Sequence, residues 1–204
     1  MSEKITIIDY GRGNLHSVRT ALEKIDAIVE ITSDKEKIKN SEKVILPGVG
    51  AFGDCMENLK KYELVDVIKE RLNSGKPFLG ICLGLQLLFE GSEEDPGVEG
   101  LGYFKGICEK IKTSEKIPHM GWNQLVVQNK NSLLKNSDGN YVYFVHTYQA
   151  IPVDKSIITS VCDYGEAIIT ASVGLENVRA VQFHPEKSSK VGLEILKNFK
   201  EWKL

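Results

Sequence analysis

A cysteine between two glycines is the first place in this sequence where chemistry can be expected. Residues 80–84 read Gly-Ile-Cys-Leu-Gly; they follow an apolar, strand-like stretch and precede residues 85–89, which are helical in composition. This is a G-x-C-x-G form of the nucleophile elbow, a tight turn in which large side chains would collide. Unpaired amides at the start of the helix would favour thiolate over thiol. Because two glycines stand at these offsets, the pattern predicts a nucleophile at Cys82 rather than a structural cysteine.

A thiolate nucleophile needs a proton partner, and the chain has four histidines. His184 precedes Glu186 by two positions, and residues two apart on an extended segment face the same side, so Glu186 can orient the imidazole. This is the base and orienting carboxylate of a catalytic triad. A surface turn could have the same His-Pro-Glu sequence, so the assignment of His184 as the catalytic base depends on the elbow at Cys82. His119 and His146 lack such a carboxylate and are expected to be structural or interfacial.

These side chains need a scaffold, and the apolar pattern predicts one. Strand-like stretches at residues 5–9, 27–32, 44–46 and 77–81 alternate with helical spacing over residues 15–25 and 64–72. Such alternation is typical of an α/β fold with three layers, a mostly parallel sheet flanked by helices. Strand-like alternation over residues 103–183 predicts added β-strands in the second half, and residues 191–202 suit a closing helix. We expect a single domain over residues 1–204.

The composition excludes several classes of function. A net charge of −2 and a pI near 6.1 give no basic field to hold nucleic acid or an anionic membrane. No apolar run is long enough to span a bilayer, and the first residues lack a signal-peptide layout, so a cytoplasmic location is expected. The four cysteines form no CxxC pair, which argues against a metal site or a redox dithiol.

The cysteine elbow followed far downstream by His-x-Glu resembles the class I, or triad, glutamine amidotransferases. A finer set of segments resembles, within that family, the glutaminase subunits of imidazole glycerol phosphate synthases. The segments lie in order at residues 10–15, 47–52, 80–86, 118–123, 144–148 and 182–188 and span nearly the whole chain. The resemblance implies a flavodoxin-like fold, L-glutamine as substrate, no cofactor, and a cyclase subunit as partner in a heterodimer of histidine biosynthesis.

The resemblance also implies roles for individual residues. The oxyanion is expected to be held by the amide of Leu83 and by the turn at Val49 and Gly50, whose peptide we expect to flip into place when the partner holds its own substrate. Residues matching substrate-binding positions are Gln86, Glu94, Thr147 and Tyr148. Residues matching the interface and ammonia entrance are Asn14, Trp122, Asn123, Tyr143 and Lys187. A solvated acidic run at Glu94, or core aromatics at Trp122 and Tyr143, would be the ordinary alternatives.

Three other functions stay open at this level. A paralogous glutaminase could supply ammonia to another synthase, such as one of surface-sugar biosynthesis, with the same catalytic residues. A cysteine peptidase or gamma-glutamyl hydrolase could use the same elbow, although neither needs the segments at residues 10–15 and 118–123. A catalytically silent binding subunit is disfavoured by the intact triad.

Overall fold

Apolar strands and amphipathic helices alternate along the first half of the chain, as the sequence predicts. The computed structural model describes residues 4–129 and 133–203. Its helices are α1 (Leu15–Glu23), α2 (Lys35–Asn40), α3 (Phe52–Lys61), α4 (Val65–Leu72), α5 (Leu83–Gln86) and α6 (Ser189–Glu201). Its strands are β1 (Lys4–Ile8), β2 (Ile28–Thr32), β3 (Lys43–Gly48), β4 (Phe78–Cys82), β5 (Gly91–Ser92), β6 (Gly106–Lys110), β7 (His119–Gln124), β8 (Val126–Val127), β9 (Tyr141–His146), β10 (Tyr148–Pro152), β11 (Ile158–Tyr164), β12 (Ala167–Leu175) and β13 (Val178–Val181).

The main sheet places its strands in the order β2-β1-β3-β4-β13-β12-β11-β8. The first five strands pair in parallel, which is the 2-1-3-4-5 order of flavodoxin-like folds. The remaining three extend the sheet by antiparallel pairing. In this order the carboxyl ends of β3 and β4 lie side by side, with Gly48 opposite Cys82. The turn after β3 is therefore adjacent to the elbow after β4.

The predicted additional strands also form two small sheets beside the main one. One has the order β10-β6-β5, and the other is the antiparallel pair β7-β9. The register of β7 with β9 places Trp122 opposite Tyr143 and His119 opposite His146. The predicted α/β architecture with a β-rich second half is thus confirmed.

Two apolar clusters account for the three layers. Successive residues of β3 alternate between them: Val44 and Leu46 belong to the cluster that includes α3 and α4, and Ile45 belongs to the cluster that includes α1 and α6. This alternation is the two-residue period of a strand covered by helices on both faces. Among residues 4–129 and 133–203, no helix is both long and apolar enough to cross a bilayer.

The elbow helix is shorter than the composition of residues 85–89 predicts. Helix α5 ends at Gln86, and the next residues turn with bonds from the amide of Leu88 to Leu85 and from that of Phe89 to Gln86. The carbonyls of residues 87–90 accept from amides in the segment 100–104. The amides of Leu88 and Phe89 thus bond three residues back instead of four, so the prediction of a helix to residue 89 is wrong, and the long-range bonds prevent any helix from continuing beyond it.

Candidate active site

The elbow depends on three glycines that let backbone segments touch. Cys82 lies at φ 55° and ψ −112°, a conformation rare for a side-chain-bearing residue. A Cβ at Gly80 would lie 2.8 Å from the carbonyl oxygen of Gly84, and one at Gly84 would overlap the carbonyl oxygen of Leu46. A Cβ at Gly48 would lie 2.8 Å from the amide nitrogen of Gly84. The collision expected from the sequence is therefore present on both sides of the turn.

His184 and Glu186 form the expected contact, although the backbone between them is a turn and not an extended segment. The Nδ1 atom of His184 lies 2.8 Å from Oε1 of Glu186, and both side chains are almost completely buried. The predicted extended segment is wrong, because residues 185–187 form a 3-10 turn that begins at Pro185. The turn is anchored to β9: the amide of His184 donates to the carbonyl of Tyr143, and the amide of Tyr143 donates to Oγ of Ser188.

The electrostatics of His184 favour the imidazolium form. Burial by itself lowers the pKa of this ring, because desolvation disfavours the charged form. Hydrogen bonding and attraction to Cys82 and Glu186 outweigh burial and raise the pKa of His184 to about 10. Because Nδ1 is bonded to Glu186, the buried Nε2 is the ring atom that remains to exchange a proton with Cys82. His184 is therefore arranged to carry a proton beside Cys82.

Most of the predicted site residues line one cavity of about 280 Å³. Its lining includes the predicted residues Val49, Gly50, Cys82, Leu83, Gln86, Glu94, Thr147, Tyr148, His184 and Lys187, together with Pro118, Val145 and His146. Glu186 lies behind His184 and does not line it. The chain segments after β3, β4 and β9 and the turn before α6 meet here, at the carboxyl edge of the parallel strands, where α/β folds bind ligands.

The turn after β3 is held by two side chains from beneath. The hydroxyl of Tyr10 donates to the carbonyl of Pro47 at 2.8 Å, and the thiol of Cys55 donates to the carbonyl of Val49 at 3.5 Å. Gly50 lies at φ 99°, in the region that favours glycine, and a Cβ there would meet no atom within 4 Å. The turn is thus anchored at its base and open at its tip.

Two predicted substrate residues already have protein partners. Oε2 of Glu94 accepts from the amide of Phe52 at 2.9 Å, at the start of α3, and burial raises the pKa of Glu94. Nε2 of Gln86 donates to the carbonyl of Tyr148 at 2.9 Å and to Oε1 of Gln182 at 3.0 Å. Both donors of Gln86 are therefore used, and only its Oε1 atom remains for a ligand.

The structure adds one residue that the sequence reasoning did not single out. Gln182 is completely buried, and its Nε2 lies 3.8 Å from the sulfur of Cys82. It belongs to the same short segment as His184, and that proximity is the signal that could have identified it. Its contact with Cys82 spans one hundred residues and could not be read from spacing.

Of the predicted interface residues, Lys187 lines the cavity, and Trp122 and Tyr143 face each other on the paired strands β7 and β9. Trp122 is 50% exposed, which makes the core-aromatic alternative wrong for this residue, and its ring meets that of Tyr143 edge-on at 6.0 Å. Lys187 places its Nζ 5.9 Å from the ring of Tyr143. Asn14 caps α1 by accepting from the amide of Ser17.

A chain of polar contacts leads from Asn123 towards the cavity. Oδ1 of Asn123 lies 2.8 Å from Nε2 of His119, whose Nδ1 lies 2.9 Å from Nε2 of His146. The ring of His146 continues to the carbonyl of Tyr148 at 2.8 Å. Burial lowers the pKa of His119 and lowers that of His146 to about 3. These contacts suit the structural or interfacial role expected for the two histidines.

Comparison with known proteins gives matches along almost the whole chain. The family described as "Glutamine amidotransferase class-I" matches residues 6–202. The "Imidazole glycerol phosphate synthase subunit HisH" of Aquifex aeolicus is 48% identical over 199 residues, which cover 97% of this chain and 96% of the relative. The protein of the same name from Bacillus cereus is 53% identical over 196 residues, covering 96% of this chain and 93% of the relative.

Solved structures with low sequence identity share the fold. "Structure of PurLQS from Thermotoga maritima" aligns with a TM-score of 0.77 at 19% identity and covers 98% of both chains. "Crystal structure of glutamine amidotransferase" aligns with a TM-score of 0.75 at 17% identity, covering 95% of this chain and 98% of the other. The elbow, the buried histidine and carboxylate, and the full-length matches lead to one conclusion: the chain belongs to the class I glutamine amidotransferase family.

Proposed function

We propose that this protein is the glutaminase subunit of an imidazole glycerol phosphate synthase. In this proposal it hydrolyses L-glutamine to glutamate and ammonia, and the ammonia passes to a cyclase subunit that makes imidazole glycerol phosphate and AICAR in histidine biosynthesis. The observation that carries the chemistry is the cavity at which Cys82 meets a His184 ring held by Glu186. The pathway is supported by full-length relatives near 50% identity that bear the synthase name.

The first half of the reaction uses His184 as an acid. The thiolate of Cys82 attacks the side-chain carbonyl of glutamine, and negative charge develops on the carbonyl oxygen. The imidazolium of His184, favoured by its raised pKa, protonates the amide nitrogen, so that the C–N bond breaks, ammonia leaves and a glutamyl thioester remains on Cys82. The amide of Leu83 has no acceptor within the helix, since it is the first residue of α5, and we assign it to the oxyanion. A donor of this kind is worth about 3 to 4 kcal/mol.

The second half of the reaction needs His184 as a base, and formation of the thioester in the first half lowers its pKa for that role. Once Cys82 carries the glutamyl group, its negative charge is gone. That charge is one of the causes that raise the pKa of His184, so the pKa falls in the thioester. The neutral ring then takes a proton from water, which hydrolyses the thioester. Glu186 stays bound to Nδ1 throughout and keeps Nε2 directed at the reaction.

The substrate would be held by the far wall of the cavity. Glu94 lines it with a partly buried carboxylate suited to an ammonium group, and the segment of Thr147 and Tyr148 lines it with backbone and side-chain groups. Gln86 can contribute only as an acceptor, because both protons of its Nε2 are used within the protein. These assignments make glutamine, with an amide to donate and an ammonium to satisfy, the ligand that fits best.

We assign docking of the cyclase to the surface around the mouth of the cavity. Trp122 offers exposed aromatic area beside the half-buried Tyr143, and Lys187 at the cavity wall lies near the ring of Tyr143. Ammonia released at Cys82 would leave past these residues without meeting bulk water, where it would be protonated. The proposal includes the flip of the turn at Val49 and Gly50 on docking, which the open surroundings of Gly50 permit. It also includes a cytoplasmic location, supported by four unpaired, buried cysteines.

The decisive test is a glutaminase assay of the chain alone and with a candidate cyclase carrying its nucleotide substrate. We expect little turnover from the chain alone and a rise by orders of magnitude in the complex. Substitution of Cys82→Ala should abolish glutamine-dependent synthesis and leave ammonia-dependent synthesis intact.

Cys162→Ala, which removes a buried thiol on β11, is the matched control and should keep both activities. Glutamine-dependent turnover by Cys82→Ala would overturn the assignment of the nucleophile. Glutamine hydrolysis that no cyclase stimulates would overturn the pathway and favour a paralogous synthase.

A further inference from the structure

A buried amide lies beside the reacting sulfur and has no place in the mechanism given above. Strand β13 pairs in parallel with β4, with Val181 opposite Ile81, so the residue after each strand is brought to the same edge. Gln182 is completely buried there, and its Nε2 lies 3.8 Å from Sγ of Cys82. Burying an amide in a core is costly unless its polar atoms are satisfied, so a glutamine at this position needs a reason.

The orientation of this amide is fixed by a chain of contacts that ends at a backbone carbonyl. The carbonyl of Tyr148 can only accept, so the atom of Gln86 facing it at 2.9 Å must be the donor Nε2. The same Nε2 lies 3.0 Å from Gln182, which must therefore present its oxygen to Gln86. The nitrogen of Gln182 is left facing the sulfur. A flipped amide would place two donors against each other at Gln86.

An N–H group directed at sulfur favours the thiolate over the thiol. The donor stabilises the negative sulfur more than the neutral one, and hydrogen bonds to charged groups are stronger than those between neutral groups. Helix α5 has only four residues, so its dipole at Cys82 is small. A fixed donor that follows the neighbouring strand can stabilise the thiolate where the dipole of this short helix is weak.

We propose that Gln182 is a positioning residue that donates a hydrogen bond to Sγ of Cys82 and holds it as the reactive thiolate, with Gln86 and the carbonyl of Tyr148 fixing the direction of the bond. The proposal deepens the proposed glutaminase function and rests on Cys82 being its nucleophile. It also gives Gln86 two roles. Its Oε1 faces the ligand, and its Nε2 orients the amide of Gln182 that donates to Cys82.

The test measures thiolate formation directly and does not need glutamine. Alkylation of the full chain by iodoacetamide is followed against pH, and the Cys82 peptide is quantified by mass spectrometry. The other three cysteines are completely buried. Burial raises the pKa of Cys55 and of Cys108, and it raises that of Cys162 to about 12. These three thiols should stay unlabelled.

Gln182→Met keeps nearly the same shape and removes the donor, so the midpoint of the alkylation profile should move to higher pH. At pH 7 the rate should fall about tenfold, the effect of losing a hydrogen bond to a charged group. Gln149→Met is the matched control, because Gln149 is also a buried glutamine but bonds the amide of Thr170 instead. It should lose similar stability and keep the wild-type alkylation profile.

Circular dichroism and the thermal midpoint establish that each variant folds, and Gln182→Leu provides a second variant without a donor if the methionine is not tolerated. A folded variant whose profile superimposes on that of the wild type overturns the proposal, as does an equal shift in Gln149→Met. Failure of the wild-type chain to hydrolyse glutamine with any cyclase would overturn the proposed function alone. The alkylation profiles would still decide the role of Gln182.

Discussion

A single methyl group added at Gly48 should separate the two turns that build the site. In Gly48→Ala the new Cβ would lie 2.8 Å from the amide nitrogen of Gly84 and 2.9 Å from Cβ of Leu83. Ordinary contact begins at 3.4 Å, so the end of β3 and the elbow must move apart by about 0.6 Å. The hydroxyl of Tyr10 would lie 3.0 Å away, but the two nearer atoms are a backbone nitrogen and a Cβ attached directly to the backbone, and neither can turn away as the end of a flexible side chain could. No catalytic side chain is changed.

The expected cost follows from this overlap. Forcing one extra methyl into a packed region typically costs about 1 to 3 kcal/mol, which for a chain of this length lowers the thermal midpoint by about 3 to 10 °C. Displacement of the oxyanion turn relative to Cys82 should reduce glutamine turnover in the complex by about a hundredfold, since misplacement on the ångström scale costs that much. Ammonia-dependent synthesis should be unchanged, because it does not use the site.

Differential scanning calorimetry and the coupled assay measure both effects, and Gly91→Ala serves as the control. Its Cβ would meet its nearest neighbour, the carbonyl oxygen of Val98, at 3.4 Å, which is ordinary contact. A Gly48→Ala variant with the stability and glutamine turnover of Gly91→Ala would refute the close-approach argument. Loss of stability with full turnover would refute the link between the turn and catalysis.

Two further substitutions test the triad and the docking surface. Glu186→Gln should lower kcat by about 10³- to 10⁴-fold and lower the pKa of His184, seen by NMR titration, because Glu186 is one cause of its raised value. A raised histidine pKa stabilises the fold fully below about pH 6.5 and loses that stabilisation as pH rises through about 10, so stability should fall less steeply across this window in Glu186→Gln; an unchanged slope would contradict the pKa argument. Trp122→Ala should weaken cyclase binding by about 2 kcal/mol in calorimetric titration while the thermal midpoint of the isolated chain changes little, since half of this side chain is exposed. Wild-type affinity would place the docking surface elsewhere.

Sequence patterns that are contained within a few residues gave correct predictions of strands and of the site segments. The strands at β1, β3 and β4 are short apolar runs buried on both faces, and the elbow and the His184 segment are each defined within five positions. The helices α2 and α3 were not predicted. Helix α2 reads Lys-Glu-Lys-Ile-Lys-Asn and buries only Ile38, so its apolar face is a single residue. Helix α3 follows a glycine-rich turn that hides its start.

The sequence by itself determined which residues could react: a cysteine on a glycine-flanked turn, and a histidine with a carboxylate two positions away. Tertiary structure alone decided how they meet. The order of the strands places residue 82 beside residue 182, and amides of the segment 100–104 bond the carbonyls of residues 87–90 and so stop the elbow helix from continuing. The physical reason is that turn and strand preferences act over a few residues, whereas strand order and buried hydrogen bonds depend on contacts between segments far apart in the chain.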